Sequence, residues 1–232
     1  MKRWSKQKKE KWKRLIALVS AVMLIIILLL TGAVSAYQAI TQHNGKTKAD
    51  TKQNAFVSVD KPNIEVALLT PNVNSRPQLA LEQVKGVVIH YTANPGTDAM
   101  ANRNYFESRK DLPEESKYKV SSHFIIGLDG TIVQCIPLNE IAYASNNRNQ
   151  DTISIECCHP DKKGKFTDAT YQSLVHLTAY LCGRFGLTEE EVIRHYDVTG
   201  KLCPLYYVKN RKAWKTLKTD IFNEVDQYRK KQ

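Results

Sequence analysis

No charged residue occurs between Leu15 and Lys46, and the chain shows no internal repeat and no low-complexity block beyond its basic start. The missing repeat argues against solenoid and propeller architectures, which need a fixed period. The missing charge has a sharper consequence. Residues 15–36, LIALVSAVMLIIILLLTGAVSA, are apolar on every side of a helix, unlike an ordinary core helix. About 20 apolar residues suffice to span a bilayer. The preceding MKRWSKQKKEKWKR holds eight Lys/Arg against one Glu, which places residues 1–14 in the cytoplasm and the rest of the chain outside. Val34-Ser35-Ala36 would suit a signal peptidase, so a cleaved signal peptide is the alternative. The apolar run is longer than a typical signal core and favours an uncleaved anchor over 15–37.

The formal net charge of +11 points first to nucleic acid, but +7 of it lies in the first 14 residues. The remaining 218 residues carry only +4, and the excess sits across the membrane from the domain. A nucleic-acid module is therefore not expected. Five cysteines, Cys135, Cys157, Cys158, Cys182 and Cys203, make disulfides possible in an exported domain. The number is odd, so at least one remains for other chemistry, and the pairing is not legible. Residues 38–61, polar and without an apolar period, read as a linker.

Regular patterning begins beyond it. VKGVVIHY (84–91) predicts a buried strand ending in His90. SHFIIGLDGTIVQCI (122–136) predicts a hairpin around Asp129-Gly130. TISIECC (152–158) predicts a strand with Thr152, Ser154, Glu156 and Cys158 on one face and Ile153, Ile155 and Cys157 on the other. Helical spacing covers 166–186, with Thr167 or Asp168 as cap and Gly186 as terminator, and 210–228, with Trp214, Leu217, Ile221 and Val225 in one stripe. A shorter helix is expected over Asp98 to Arg109. These elements predict one α/β domain over 62–228, a single mixed β-sheet flanked by helices.

RHYDVTGKLCP (194–204) looks loop-like, yet concentrates a histidine, an aspartate, a lysine and a cysteine. A catalytic zinc takes three ligands from His, Cys, Asp or Glu and leaves a fourth position for water. His90, His195 and Cys203 supply such a set, with donors softer than magnesium or calcium prefer. The residues alone leave alternatives open: His90 as a packed histidine, Cys203 as a half-cystine, Lys201 as a surface lysine. His159 and His176 have no evident partner, and His176 reads as a surface residue.

VVIHYTANPG (87–96), SHFIIGLDG (122–130), ISIE (153–156) and RHYDVTGKLCP (194–204) follow one another at spacings that resemble the zinc-dependent N-acetylmuramoyl-L-alanine amidases. That family includes phage endolysin amidases and peptidoglycan recognition proteins, and the likeness covers roughly residues 65–220. It implies Zn²⁺ held by His90, His195 and Cys203, and peptidoglycan as substrate, cut between N-acetylmuramic acid and L-alanine of the stem peptide. Zinc-bound water would be the nucleophile. The chain departs from one branch at Ser122, where a catalytic tyrosine is usual. Its ISIE segment resembles another branch, which implies Glu156 as general base and acid and Lys201 as oxyanion stabiliser. Asp197 is expected to orient the loop or a ligand imidazole. Asn94, His123, Asn147 and Arg148, with Asn146, are candidate substrate contacts. A monomeric catalytic domain is expected. The competing reading, a silent receptor for wall fragments, usually goes with loss of the cysteine ligand, which this chain retains.

Overall fold

The computed structural model describes Met23 and residues 56–232. Six strands, β1 Glu65–Val66, β2 Val87–Tyr91, β3 Phe124–Ile126, β4 Ile132–Gln134, β5 Ile153–Cys157 and β6 Val192–Arg194, form one sheet in the order β1-β4-β3-β5-β2-β6. β3 and β4 are antiparallel across the predicted Asp129-Gly130 turn, where Gly130 has φ 87°, and the other pairs are parallel. The helices are α1 Ala99–Glu107, α2 Asp168–Phe185, α3 His195–Thr199, α4 Leu205–Lys209 and α5 Arg211–Arg229. This is the mixed sheet flanked by helices that the patterning predicts.

β2 and β5 lie side by side in the middle of the sheet, with His90 paired to Glu156. Both faces of the sheet are covered, so Val87, Val88, Ile89 and His90 of β2 are all buried and the strand does not alternate between core and solvent. On one face Val87, Ile89, Ile153, Ile155 and Cys157 join Leu174, Leu177 and Leu181 of α2 and Leu217, Ile221 and Val225 of α5. On the other face Ile125, Val133 and Cys158 meet Ala99 and Phe106 of α1. The alternation expected in β5 therefore holds. It places Ser154 and Glu156 on the α1 side, at the centre of the sheet and not on an edge.

Helix ends follow local chemistry. Thr167 Oγ1 accepts the Thr170 amide at 3.0 Å and starts α2, and Gly186, at φ 64°, stops it. Asp98 caps α1 through the Ala101 amide at 2.6 Å. Gly183 is required for another reason: Val57 lies against it, with its amide donating to the Gly183 carbonyl at 3.0 Å, and any Cβ there would run into the Val57 carbonyl. Val57 and Val59, in the segment read as linker, are thus buried on α2.

Among the described residues no helix is long and apolar enough to cross a membrane. The basic tail, the spanning segment read at 15–37 apart from Met23, and residues 38–55 of the linker lie outside them. All five cysteines are free and buried.

Candidate active site

The carboxyl ends of parallel strands are where open α/β sheets gather ligands, because the chain diverges there and leaves a crevice. His90 at the end of β2 and Glu156 at the end of β5 are lateral neighbours on one face, with His90 Nδ1 3.9 Å from Glu156 Oε1. The segment 194–204 is not the loop its sequence suggests. β6 runs directly into α3, and the Asp197 carboxylate accepts the Arg194 amide at 2.8 Å and the Arg194 guanidinium at 2.6 and 3.0 Å. This pair fixes the turn that presents His195. Gly200, at φ 78°, ends α3, and the Tyr196 amide donates to the Cys203 carbonyl at 2.9 Å. The chain is thereby folded back so that Cys203 returns to His195 and His90.

Nδ1 of His90 lies 3.8 Å from Cys203 Sγ, and the His90 and His195 ring centroids are 4.7 Å apart. The ligating atoms of His90, His195 and Cys203 all lie within 4.8 Å of one another, and all three residues are buried. Their outer nitrogens are held by two consecutive residues. His90 Nε2 meets Ser145 Oγ at 3.2 Å, and His195 Nε2 donates to Asn146 Oδ1 at 3.0 Å. A carboxamide oxygen only accepts, so Nε2 of His195 carries the proton and Nδ1 keeps its lone pair. Asn149 Oδ1 holds this clasp in place by accepting the amides of Ala144 and Ser145 at 3.0 and 2.6 Å.

Burial dominates the electrostatics. It pushes the Glu156 carboxyl up to about 8, with Lys201 opposing, and the Cys203 thiol up to about 12, with Glu156 adding to the rise and Lys201 opposing it. Burial, with Lys201 adding to it, holds both His90 and His195 below the usual histidine value. The imidazoles are thus neutral donors, and Glu156 Oε2 is buried without a hydrogen-bond partner. Two neutral imidazoles and a thiol in contact, with an orphaned carboxylate oxygen beside them, form a donor set that suits zinc: a cation supplies the charge that would turn the thiol into a thiolate.

The cleft over these groups has a volume of about 240 Å³, with Lys201 on its rim and Tyr105, Phe106, Val120 and Tyr143 among its walls. Sequence reasoning missed these apolar walls because they come from separate loops and from α1. Other expected contacts lie elsewhere. His123 is buried, with Nδ1 3.0 Å from Ser154 Oγ and Nε2 2.9 Å from the Glu140 carbonyl, so it packs beneath the site and does not line it. Asn94 and Asn147 are exposed outside the cleft lining, and Arg148 is turned to Asp151 at 2.7 Å. Of that set, Asn146 alone reaches the cluster. Asp197 acts on the loop through Arg194 and touches neither imidazole. His176 pairs with Glu224, and His159 stacks on Tyr91 with ring centroids 5.0 Å apart.

A family model described as N-acetylmuramoyl-L-alanine amidase matches residues 80–205, a span that contains the whole cluster. The chain is 33% identical over 162 residues to N-acetylmuramoyl-L-alanine amidase CwlL of Bacillus licheniformis, covering 65% of this chain and 44% of that one. It is 32% identical over 171 residues to N-acetylmuramoyl-L-alanine amidase BlyA of Bacillus subtilis (strain 168), again covering 65% and 44%. It thus spans less than half the length of these relatives. The structure of the catalytic domain of XlyA superposes with a TM-score of 0.56 at 27% identity, covering 69% of this chain and 99% of that one. With more than half its length matched by the family model, the chain belongs to the N-acetylmuramoyl-L-alanine amidase family.

Proposed function

We propose that the domain hydrolyses the amide bond between N-acetylmuramic acid and L-alanine of the peptidoglycan stem peptide. The observation that carries this is the convergence of His90, His195 and Cys203 within 4.8 Å, beside the unpartnered carboxylate oxygen of Glu156. His90, His195 and Cys203 would hold zinc through two imidazole nitrogens and a sulfur, and the ion would supply a Lewis acid able to acidify water and polarise a carbonyl. Glu156 takes the proton of the attacking water and returns it to the departing amine. Burial raises this carboxyl above the usual carboxylate range, which makes it a stronger proton acceptor. The Lys201 ammonium, at the rim, stabilises the developing oxyanion, an effect of about 3 kcal/mol in comparable sites. Tyr143 and Phe106 shield the reacting amide from bulk water. Ser145 and Asn146 hold the imidazoles with Nδ1 inward.

The apolar stretch 15–36 and the basic residues before it support an anchor that keeps this domain outside the membrane, next to its polymer. The deciding experiment measures new amino termini released from purified peptidoglycan with and without a chelator. Chelator-sensitive release with L-alanine as the new terminus is expected. Binding without release would instead make the protein a receptor for wall fragments.

A further inference from the structure

The catalytic cleft, at about 240 Å³, is smaller than sites that enclose one drug-sized molecule, so most of a disaccharide–peptide unit must lie outside it. A second cleft of about 650 Å³ opens between the N-terminal turns of α2 and α5 and the short helix α4. Phe166, Tyr171, Tyr206 and Tyr207 give it flat apolar walls, and Lys165, Arg211 and Lys212 line it with positive charge against the single carboxylate of Asp168. These three cations belong to two basic segments, residues 162–165 and 209–215, which hold seven Lys/Arg and no Asp or Glu.

Two further features mark the cleft as a site for an anion. The start of α5 has no side-chain cap, because the Asn210 carboxamide donates to the Tyr206 carbonyl at 2.9 Å and accepts nothing from the helix. Its first amides and the helix dipole are left for a negative group. Tyr207 is 3% exposed and lines the cleft, and its hydroxyl has no hydrogen-bond partner among the described residues. That hydroxyl is free to bond a ligand in the cleft.

We infer that this cleft is a second peptidoglycan subsite, taking a stem-peptide carboxylate on the cationic α5 end with a sugar ring against Tyr206. The inference rests on the proposed substrate. The two clefts are neighbours: a Cβ built on Gly164 would lie 3.2 Å from the ring of Tyr91, which lines the catalytic cleft, and Lys165 and Phe166 of the second cleft follow Gly164 directly. A polymer that repeats the same disaccharide–peptide unit reaches both, and the second contact raises avidity without altering the chemistry at the first. A concave, ring-walled site fits a polymer segment better than a flat lipid surface.

The test uses the full-length chain, its exposed triple variant Lys165→Glu/Arg211→Glu/Lys212→Glu, and Tyr207→Phe, which keeps the ring and removes only the hydroxyl. Co-sedimentation with insoluble peptidoglycan gives affinity, and turnover of a single disaccharide–peptide gives the chemistry. The triple variant should bind the polymer about tenfold more weakly. Tyr207→Phe should show a smaller loss, and both should turn over the short substrate normally. Amidating the stem carboxylates should bring wild-type binding down to the level of the triple variant. Unchanged polymer affinity in the triple variant, or equal wild-type binding to amidated polymer, overturns the assignment. So does loss of binding to phosphatidylglycerol vesicles with polymer binding intact, which would assign the patch to a membrane surface. Absence of turnover in the wild type would refute the hydrolytic reading, and the difference in binding would still decide this one.

Discussion

Replacing Asn146 removes the acceptor that fixes the proton on His195. The Oδ1···Nε2 contact is 3.0 Å, and His195 is only 7% exposed, so water replaces the lost partner poorly. Leaving a buried donor unsatisfied costs about 1–3 kcal/mol. Removing the outer hydrogen-bond partner of a metal-bound histidine typically weakens the metal by about 10–100-fold, which is the same range in energy. The backbone complicates the obvious variant. Asn146 has φ 54°, a left-handed conformation that asparagine tolerates and alanine resists by about 1–2 kcal/mol. Asn146→Gly keeps that conformation and deletes only the side chain, whereas Asn146→Ala adds the backbone cost. Both should weaken zinc by about 10–100-fold in competition with a chromophoric chelator. Asn146→Ala alone should also lower the melting temperature. Imidazole ¹⁵N shifts of the metal-free protein should show the Nε2–H form of His195 depleted in both. Zinc affinity within about twofold of wild type in Asn146→Gly would refute the positioning role.

Four further outcomes are expected. Cys203→Ser should lose zinc in elemental analysis of the purified protein, and full zinc content would remove the thiol from the ligand set. Glu156→Gln should retain zinc and lose turnover by about 10²–10⁴-fold in the amine-release assay. Gly183→Ala should destabilise the fold by about 1–3 kcal/mol in urea melts and speed hydrogen exchange at the Val57 amide, whose docking it blocks. Burial lowers His123 to about 4 in the folded state, while the unfolded chain keeps the ordinary value of 6.5. The unfolded chain therefore binds the extra proton first. This contribution to stability is complete above pH 6.5 and is lost as pH falls towards 4, at up to about 1.4 kcal/mol per pH unit. His123→Asn should flatten that part of the stability–pH curve in chemical denaturation, and an unchanged slope would rule His123 out as its source.

Elements long enough to repeat their own period were legible in the sequence. α2 and α5 show a helical stripe over four or more turns, and the Asp129-Gly130 turn announces the β3–β4 hairpin. The short pieces were not. β6 has three residues and α3 and α4 five each, too few for any period to emerge, so the segment from Arg194 to Pro204 read as a loop. The candidate substrate contacts fared unevenly for a related reason. A polar residue in a loop carries no sign of which way it points, and His123 turned inward to Ser154 while Arg148 turned to Asp151.

By itself the sequence determined the residue types and the order in which they occur: a histidine and a glutamate at the ends of recognisable strands, then a histidine, a lysine and a cysteine in a segment that reads as a loop. It also determined the face of β5 that carries Glu156, because strand alternation is a local property. Tertiary structure alone decided that β2 and β5 are neighbours in register, so that His90 meets Glu156, and that Ser145 and Asn146 clasp the two imidazoles. It also brought the two basic segments, more than 40 positions apart, to one tyrosine-walled cleft. Strand order and loop closure are set by how distant apolar faces bury one another, and no short window of residues records that choice.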